Sequence, residues 1–220
     1  MATLYPPKAS GSPRAIVVIG ASAGGVAALL ALAKTLPADF PAPIFIVLHL
    51  GADLPCILPQ LLSAVAKLPA RHPQNGELIA PGILYVAPPA HQMLLEGDRV
   101  LVTQDPPENR FRPSIDALFR SAARTHGRRV IGVVLTGYLN DGALGLGSVQ
   151  RHGGLTIVQE PHDAEQPDMP TNALALVTPD YIVPLAQLGP LLVRLTTEIT
   201  PANRPRPAPE LGVGRGGRAT

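Results

Sequence analysis

Aromatic residues, cysteine and net charge are all scarce in this 220-residue chain, and each scarcity excludes a class of function. Aromatic residues make up 4% of the sequence and tryptophan is absent, which argues against the stacking surfaces that hold nucleic-acid bases. The one cysteine, Cys56, has no partner for an internal disulfide, so the chain needs no oxidising compartment. We predict that Cys56 is a small buried apolar residue and that the protein is cytoplasmic.

Charge is scarce as well once the C-terminal end is set aside. The formal net charge is +2, but residues 201–220 hold four arginines against the single acid Glu210, a local charge of +3. The first 200 residues therefore carry a net charge of −1. A near-neutral body offers no basic surface to a phosphate backbone, so we expect no nucleic-acid partner.

The longest uncharged run, AIVVIGASAGGVAALLALA, spans residues 15–33 and raises the question of export. Basic residues upstream and an Ala-x-Ala at its end are typical of a signal peptide. The run is longer than the usual apolar segment of a signal peptide, however, and Gly20, Gly24 and Gly25 interrupt it. As a membrane span the run is barely long enough, and its small residues give little driving force for insertion into a bilayer. We therefore predict neither export nor membrane insertion.

Apolar runs of strand length alternate with stretches of helical periodicity along most of the chain. Runs such as IVVI (16–19) and VIGVV (130–134) are typical of buried parallel strands. A Gly-Asp pair between two alternating runs predicts a β-hairpin over 92–104. The order of elements predicts an α/β fold, a doubly wound, mostly parallel sheet with helices on both faces. We expect residues 14–200 to form one domain between disordered ends, 1–13 and 201–220.

The glycine-rich segment GASAG, 20–24, lies between a predicted strand and a predicted helix, and two interpretations compete for it. It fits the G-x-S-x-G pattern of a nucleophile turn, which would expose the Ser22 hydroxyl and point helix-end amides at an oxyanion. It also resembles the glycine loop of a dinucleotide-binding fold. That loop requires a carboxylate at the end of the second strand, where this sequence has His49. The nucleophile turn is the better fit, and nucleotide binding is the lesser alternative.

Three predicted strands bring chemically active side chains to one edge of the sheet. Ser22, His49 and Asp141 each follow the carboxyl end of a strand, where open α/β sheets bind ligands. A serine hydroxyl is a weak nucleophile that needs a base, and a histidine base needs a carboxylate to hold its tautomer. The three residues therefore predict a catalytic triad. The other histidines show no metal-ligand spacing, and we expect no metal and no cofactor.

Several motifs in the same order along the chain resemble the catalytic domain of the chemotaxis protein-glutamate methylesterases. They cover about residues 14–198 and read VVIGASAGG, IVLHL, YVAPPAH, RPSIDALFRSAA, GVVLTGYLNDGALGL and MPTNALALV. The resemblance implies a serine hydrolase with Ser22 as nucleophile, His49 as base and Asp141 as orienting carboxylate. It implies a methylated receptor protein as substrate, attacked at glutamate methyl esters and, as a further candidate, at glutamines.

The resemblance also assigns supporting roles. It implies that the backbone amides of Ala23 and Tyr138 stabilise the oxyanion. The family usually has threonine after the nucleophile and a GMGxDG loop, whereas this chain has Ala23 and GYLNDG, so that Leu139 replaces a glycine. His91 matches the family's AP…H loop and is expected to line the substrate cleft. Arg112 precedes the matched helix and is expected to hold either a substrate carboxylate or a structural carbonyl.

Regulation is expected to differ from that of the resembled family. Family members usually carry a phosphorylatable receiver domain before the catalytic one, which residues 1–13 are too few to form. We therefore expect a stand-alone catalytic domain with an open cleft, and a regulatory signalling protein supplied by a separate chain. This difference and the altered GYLNDG loop motivate a second hypothesis, a non-catalytic signalling module with the same fold.

Overall fold

The computed structural model describes residues 13–49 and 57–197. Cys56, residues 1–12 and the arginine-containing end from 198 onward lie outside the described residues. The expectations for those parts of the chain therefore stay predictions.

Ten strands and six α-helices occupy the described residues, together with a single 3-10 turn at Gly127–Arg129. The strands are β1 (Ile16–Ala21), β2 (Ile44–Leu48), β3 (Ala70–Arg71), β4 (Glu77–Leu78), β5 (Leu84–Val86), β6 (Gln92–Glu96), β7 (Arg99–Thr103), β8 (Val130–Val134), β9 (Leu155–Gln159) and β10 (Tyr181–Val183). The helices are α1 (Gly25–Thr35), α2 (Leu58–Val65), α3 (Ile115–His126), α4 (Ala143–Arg151), α5 (Asp168–Leu176) and α6 (Leu185–Thr197).

Seven of the strands form one parallel sheet in the order β10-β9-β8-β1-β2-β5-β3. From β1 the chain first winds to one side, through β2, and later returns to the other side of β1 as β8. The winding direction therefore reverses at β1, and such a switch point opens a crevice beyond the carboxyl ends of the strands. The predicted doubly wound parallel sheet is confirmed.

The sheet is covered on both faces, which is why its central strands are apolar throughout. Every residue of β1, β2 and β8 is buried. One apolar cluster packs α1, α2 and α6 against one face, and a second packs α3, α4 and α5 against the other. Side chains at alternate positions of each strand contribute to alternate clusters, as the pleat requires.

A small antiparallel sheet, in the order β4-β7-β6, adjoins α3 on the second face. Its β6–β7 hairpin was predicted from the alternating pattern around Gly97-Asp98, and it is confirmed. The two-residue strands β3 and β4 were not predicted, because two residues are too few to show a period.

No helix in the two described ranges is long and apolar enough to cross a membrane.

Candidate active site

Strands β1 and β2 place Ser22 and His49 side by side. The parallel register pairs Ala21 with Leu48, so the next residue along each strand is Ser22 or His49. Backbone hydrogen bonds continue past the strand ends, where His49 N donates to Ala21 O at 3.1 Å and Ser22 N donates to Thr136 O at 3.0 Å. Ser22 thus lies between the segments that follow β2 and β8, at the switch point of the sheet.

A hydrogen bond of 2.9 Å joins Nε2 of His49 to Oδ2 of Asp141. Both side chains are nearly excluded from solvent, with 7% and 1% of their surface exposed. Because the carboxylate can only accept, Nε2 carries the proton and Nδ1 keeps its lone pair. Nδ1 is buried and has no hydrogen-bond partner among the described residues. The histidine is therefore held in a tautomer that leaves one basic nitrogen free.

The hydrogen bond between Ser22 Oγ and His49 is not formed in this structure, since Nδ1 has no partner in the described ranges. In many hydrolases the serine–histidine hydrogen bond is long or poorly aligned until substrate binds. The strand register nevertheless keeps the two residues adjacent, about one strand spacing apart, roughly 4.8 Å between neighbouring backbones.

The ring of Phe111 stacks on the imidazole of His49. The two ring centroids lie 3.8 Å apart and the planes differ by 3°. Phe111 is itself anchored, since it exchanges two backbone hydrogen bonds with Glu108, whose carboxylate pairs with Arg120. The stack shields one face of the imidazole from water and fixes the plane in which the ring lies. Sequence analysis did not identify Phe111, although it immediately precedes the quoted motif RPSIDALFRSAA.

Asp141 accepts hydrogen bonds from the first turn of α3 as well as from His49. Its donors there are Ile115 N at 2.8 Å, Asp116 N at 3.1 Å and Ser114 Oγ at 3.1 Å. Burial alone would raise the pKa of Asp141, but the hydrogen bonds from His49 and from the α3 amides outweigh it, and the pKa is lowered. The side chain is thus an anion fixed on a helix N-terminus, where the helix dipole also favours it.

Asp116 is a second buried carboxyl beneath the site that sequence analysis did not identify. Its Oδ1 accepts from the amides of Gly142, at 2.9 Å, and Gly145, at 2.6 Å, and its Oδ2 accepts from Asn109 Nδ2 at 2.8 Å. Burial raises the pKa of Asp116 to about 6, the nearby charge of Asp141 adds to that rise, and the two amides oppose it. Asp116 thereby ties the start of α4, and with it the Asp141 loop, to α3.

Gly137 lies directly against the nucleophile turn. A Cβ added to it would stand 2.6 Å from Cβ of Ser22 and would collide with Sδ of Met169. Its amide donates to Gln166 O at 3.0 Å, and its carbonyl accepts from Met169 N at 2.9 Å. This close approach requires glycine and brings the loop after β8 onto Ser22.

Two amides beside this contact have no acceptor among the described residues, those of Ala23 and Tyr138. The peptide carbonyl of Ala23 is fixed, because Thr136 Oγ1 donates to it at 2.9 Å. Unpaired amides next to a nucleophile are what an oxyanion site requires. The oxyanion roles of Ala23 and Tyr138 stay predictions that this arrangement supports.

His91 and Arg112 meet at the segment that follows β7. His91 Nδ1 donates to Pro89 O at 2.8 Å, and Gln104 Nε2 donates to His91 Nε2 at 3.4 Å. Arg112 Nη1 donates to the carbonyls of Gln104, at 3.2 Å, and Asp105, at 3.4 Å. Of the two roles expected for Arg112, its contacts match the structural one. Neither side chain hydrogen-bonds to the triad within the described part of the chain, and their place in a substrate cleft stays a prediction.

The described residues contain no group of three or more histidine, cysteine or acidic side chains that could hold a metal ion.

Known proteins resemble this chain over most of its length. A family model described as CheB methylesterase matches residues 17–192. A relative from Leptospira interrogans is 38% identical over 180 residues, which are 81% of this chain and 93% of that protein. Relatives from Moorella thermoacetica and Burkholderia lata, both named protein-glutamate methylesterase/protein-glutamine glutaminase, are 38% identical over 83% and 84% of this chain. The chain spans only 44% and 52% of those two proteins, about half of each.

A solved structure agrees with these matches. The crystal structure of the Thermotoga maritima CheB methylesterase catalytic domain superposes with a TM-score of 0.77 and 29% identity. The match covers 82% of this chain and 98% of that one.

Proposed function

Since the chain belongs to the CheB methylesterase family, we propose that it is a serine hydrolase that removes methyl esters from glutamate side chains of a protein. The relatives' names give the same activity. We assign Ser22 as the nucleophile, His49 as the base and Asp141 as the carboxylate that orients the base. The observation that carries this assignment is the His49–Asp141 hydrogen bond through Nε2, which leaves Nδ1 without a hydrogen-bond partner in the described ranges, on the residue that neighbours Ser22 across the paired strands.

Acylation begins when the ester carbonyl carbon approaches Ser22 Oγ. His49 Nδ1 takes the hydroxyl proton as Oγ attacks, and the resulting imidazolium is stabilised by Asp141 through Nε2–H. The carbonyl oxygen becomes an oxyanion that the Ala23 and Tyr138 amides stabilise. When this intermediate collapses, the imidazolium returns its proton to the leaving oxygen. Methanol departs, and a glutamyl ester of Ser22 remains.

Deacylation repeats the sequence with water. His49 Nδ1 takes a proton from a water molecule as its oxygen attacks the acyl carbon, and the second intermediate expels Ser22 Oγ, which regains a proton from the imidazolium. The net change is one ester and one water converted to one glutamate carboxylate, one methanol and one proton. A glutamine side chain would react in the same way, with ammonia as the leaving group, which is the second activity in the relatives' names.

We propose a methylated chemoreceptor as the protein substrate, following the family resemblance. The cytoplasm is the proposed location, on the argument from cysteine usage given above. A regulatory signalling protein from a separate chain is the proposed means of control.

Methanol release tests the proposed activity. Receptor-containing membranes methylated with a radioactive methyl group serve as substrate, and volatile methanol is counted for the wild type and for Ser22→Ala. We expect release by the wild type and less than about one-thousandth of that rate for Ser22→Ala, with unchanged thermal unfolding. A folded wild-type protein that releases no methanol would instead support the non-catalytic module.

A further inference from the structure

Tyr138 and Leu139, which we define as the rim, project from the loop between β8 and α4. Tyr138 is 52% exposed and Leu139 is 57% exposed. Leu139 has a φ of +68°, a left-handed conformation that a side chain with a Cβ adopts at a cost in free energy. A glycine would adopt this conformation without that cost.

The protein itself gains little from the Leu139 side chain, because more than half of it faces solvent. What holds the strained residue is its backbone, since Asn172 Nδ2 on α5 donates to Leu139 O at 2.7 Å. Any residue, glycine included, could accept this hydrogen bond through its carbonyl. The chain therefore retains a costly apolar side chain at a position where neither the core nor the anchoring bond requires one.

The rim stands at the edge of the active site. Gly137, the residue before it, packs on Ser22, and Asp141 follows Leu139 by two positions. One helical turn beyond Asn172, Leu176 adds a further apolar side chain that is 56% exposed. The loop that packs on Ser22 and the helix that anchors it, α5, thus each expose one leucine side chain.

We propose that the rim is a specificity surface, which binds the apolar side chains that flank the reacting glutamate in the protein substrate. This inference rests on the proposed methylesterase activity. An ester is uncharged until it is hydrolysed, so an apolar rim is compatible with apolar substrate residues around it. The rim also has no cation that would retain the carboxylate product. Contacts with residues outside the reacting group strengthen the binding of a protein substrate. A small ester lacks those residues, so the same contacts cannot affect its binding.

The test compares two probes on the same variants. One probe is a peptide with a central glutamate γ-methyl ester flanked by leucine and alanine, and the other is N-acetylglutamate γ-methyl ester amide. Leu139→Gly removes the side chain and relieves the backbone. Leu139→Asn keeps a side chain of similar size that tolerates positive φ but is polar. Leu78→Asn, at a leucine of similar exposure on β4, is the matched control.

We expect both Leu139 variants to lose about ten- to hundredfold in kcat/KM for the peptide, mainly through KM, which is the range that burial of one leucine supports. Their rates on the small ester should stay within about twofold of wild type, as should both rates of Leu78→Asn. The thermal midpoint of Leu139→Gly should hold or rise by up to about 3 °C.

Equal losses on both probes would overturn the proposal, because they would mean that Leu139 shapes the catalytic loop instead. Peptide activity unchanged in both variants would also overturn it. If Leu139→Asn alone keeps wild-type kcat/KM for the peptide, the order of the loop matters and apolar contact does not. That result would also contradict the proposal. If the wild type hydrolyses neither probe, the proposed activity itself fails, which is a distinguishable result.

Discussion

Asp141 fixes the start of α3, the helix that carries Asp116, and Asp116 in turn fixes the start of α4, the helix that follows Asp141. Asp141, just before α4, accepts from the first amides of α3, and Asp116, in the first turn of α3, accepts from Gly142 and Gly145 at the start of α4. Two buried carboxyls this close cannot both ionise freely. The pKa of Asp141 is lowered, so that it holds the charge, and that of Asp116 is raised to about 6. The arrangement keeps the residue that faces His49 anionic.

The Asp116 carboxyl should make stability depend on pH. Its folded-state pKa of about 6 lies above the unfolded value of about 4, so the folded protein favours the neutral acid. Asp116 makes its full contribution to the free energy of unfolding below pH ~4. That contribution, up to about 3 kcal/mol, is lost as the pH rises through 6. The lowered pKa of Asp141 acts below pH ~4, outside this window.

Denaturant unfolding of wild type and Asp116→Asn between pH 4.5 and 7.5 measures this effect. The difference in the free energy of unfolding between the two proteins should shift in favour of Asp116→Asn as the pH rises. A difference that stays constant across the window would show that Asp116 does not titrate there.

Asp141→Asn should affect both rate and stability. An asparagine can accept at one atom only. It would leave without an acceptor either the two donors to Oδ2, His49 Nε2 and Ile115 N, or the two donors to Oδ1, Asp116 N and Ser114 Oγ. We expect kcat to fall by up to about ten-thousandfold, the scale of loss when a serine triad holds the wrong histidine tautomer. The free energy of unfolding should fall by about 1–3 kcal/mol, because buried donors lose their partner. Steady-state kinetics with denaturant unfolding checks both, and a kcat within tenfold of wild type would mean that another group orients His49.

Much of this site follows from strand order, and the rest does not. Ser22, His49 and Asp141 follow apolar runs that can be recognised in the sequence, and parallel strands necessarily end at one edge. Phe111 and Asp116 belong to the site only because α3 packs against the strand ends and the preceding loop folds over His49. A phenylalanine or aspartate in a polar stretch carries no period or motif that reveals such a contact. The strands β3 and β4 were not predicted for a similar reason, since they are defined by hydrogen bonding to neighbouring strands and not by a sequence pattern.

Phe111 should support catalysis by holding the His49 ring. Phe111→Ala removes the stacked ring, admits water to the imidazole face and frees the ring to rotate. We expect kcat to fall by about ten- to hundredfold, since a general base contributes up to about 10⁴-fold and misorientation forfeits part of that. Phe111→Tyr keeps the ring and is the matched control, with kcat expected within about threefold of wild type. If Phe111→Ala and Phe111→Tyr have equal rates, the stack does not serve the reaction.

Covalent labelling tests the central claim, that Ser22 is a nucleophile activated by His49 and Asp141. Purified wild-type protein is treated with a fluorophosphonate, digested, and analysed by mass spectrometry. We predict one adduct, on the peptide that contains Ser22, with no labelling of Ser22→Ala and labelling of Asp141→Asn slowed by at least about a hundredfold. Folded wild-type protein that takes up no label, or that takes it up at another serine, would contradict the account.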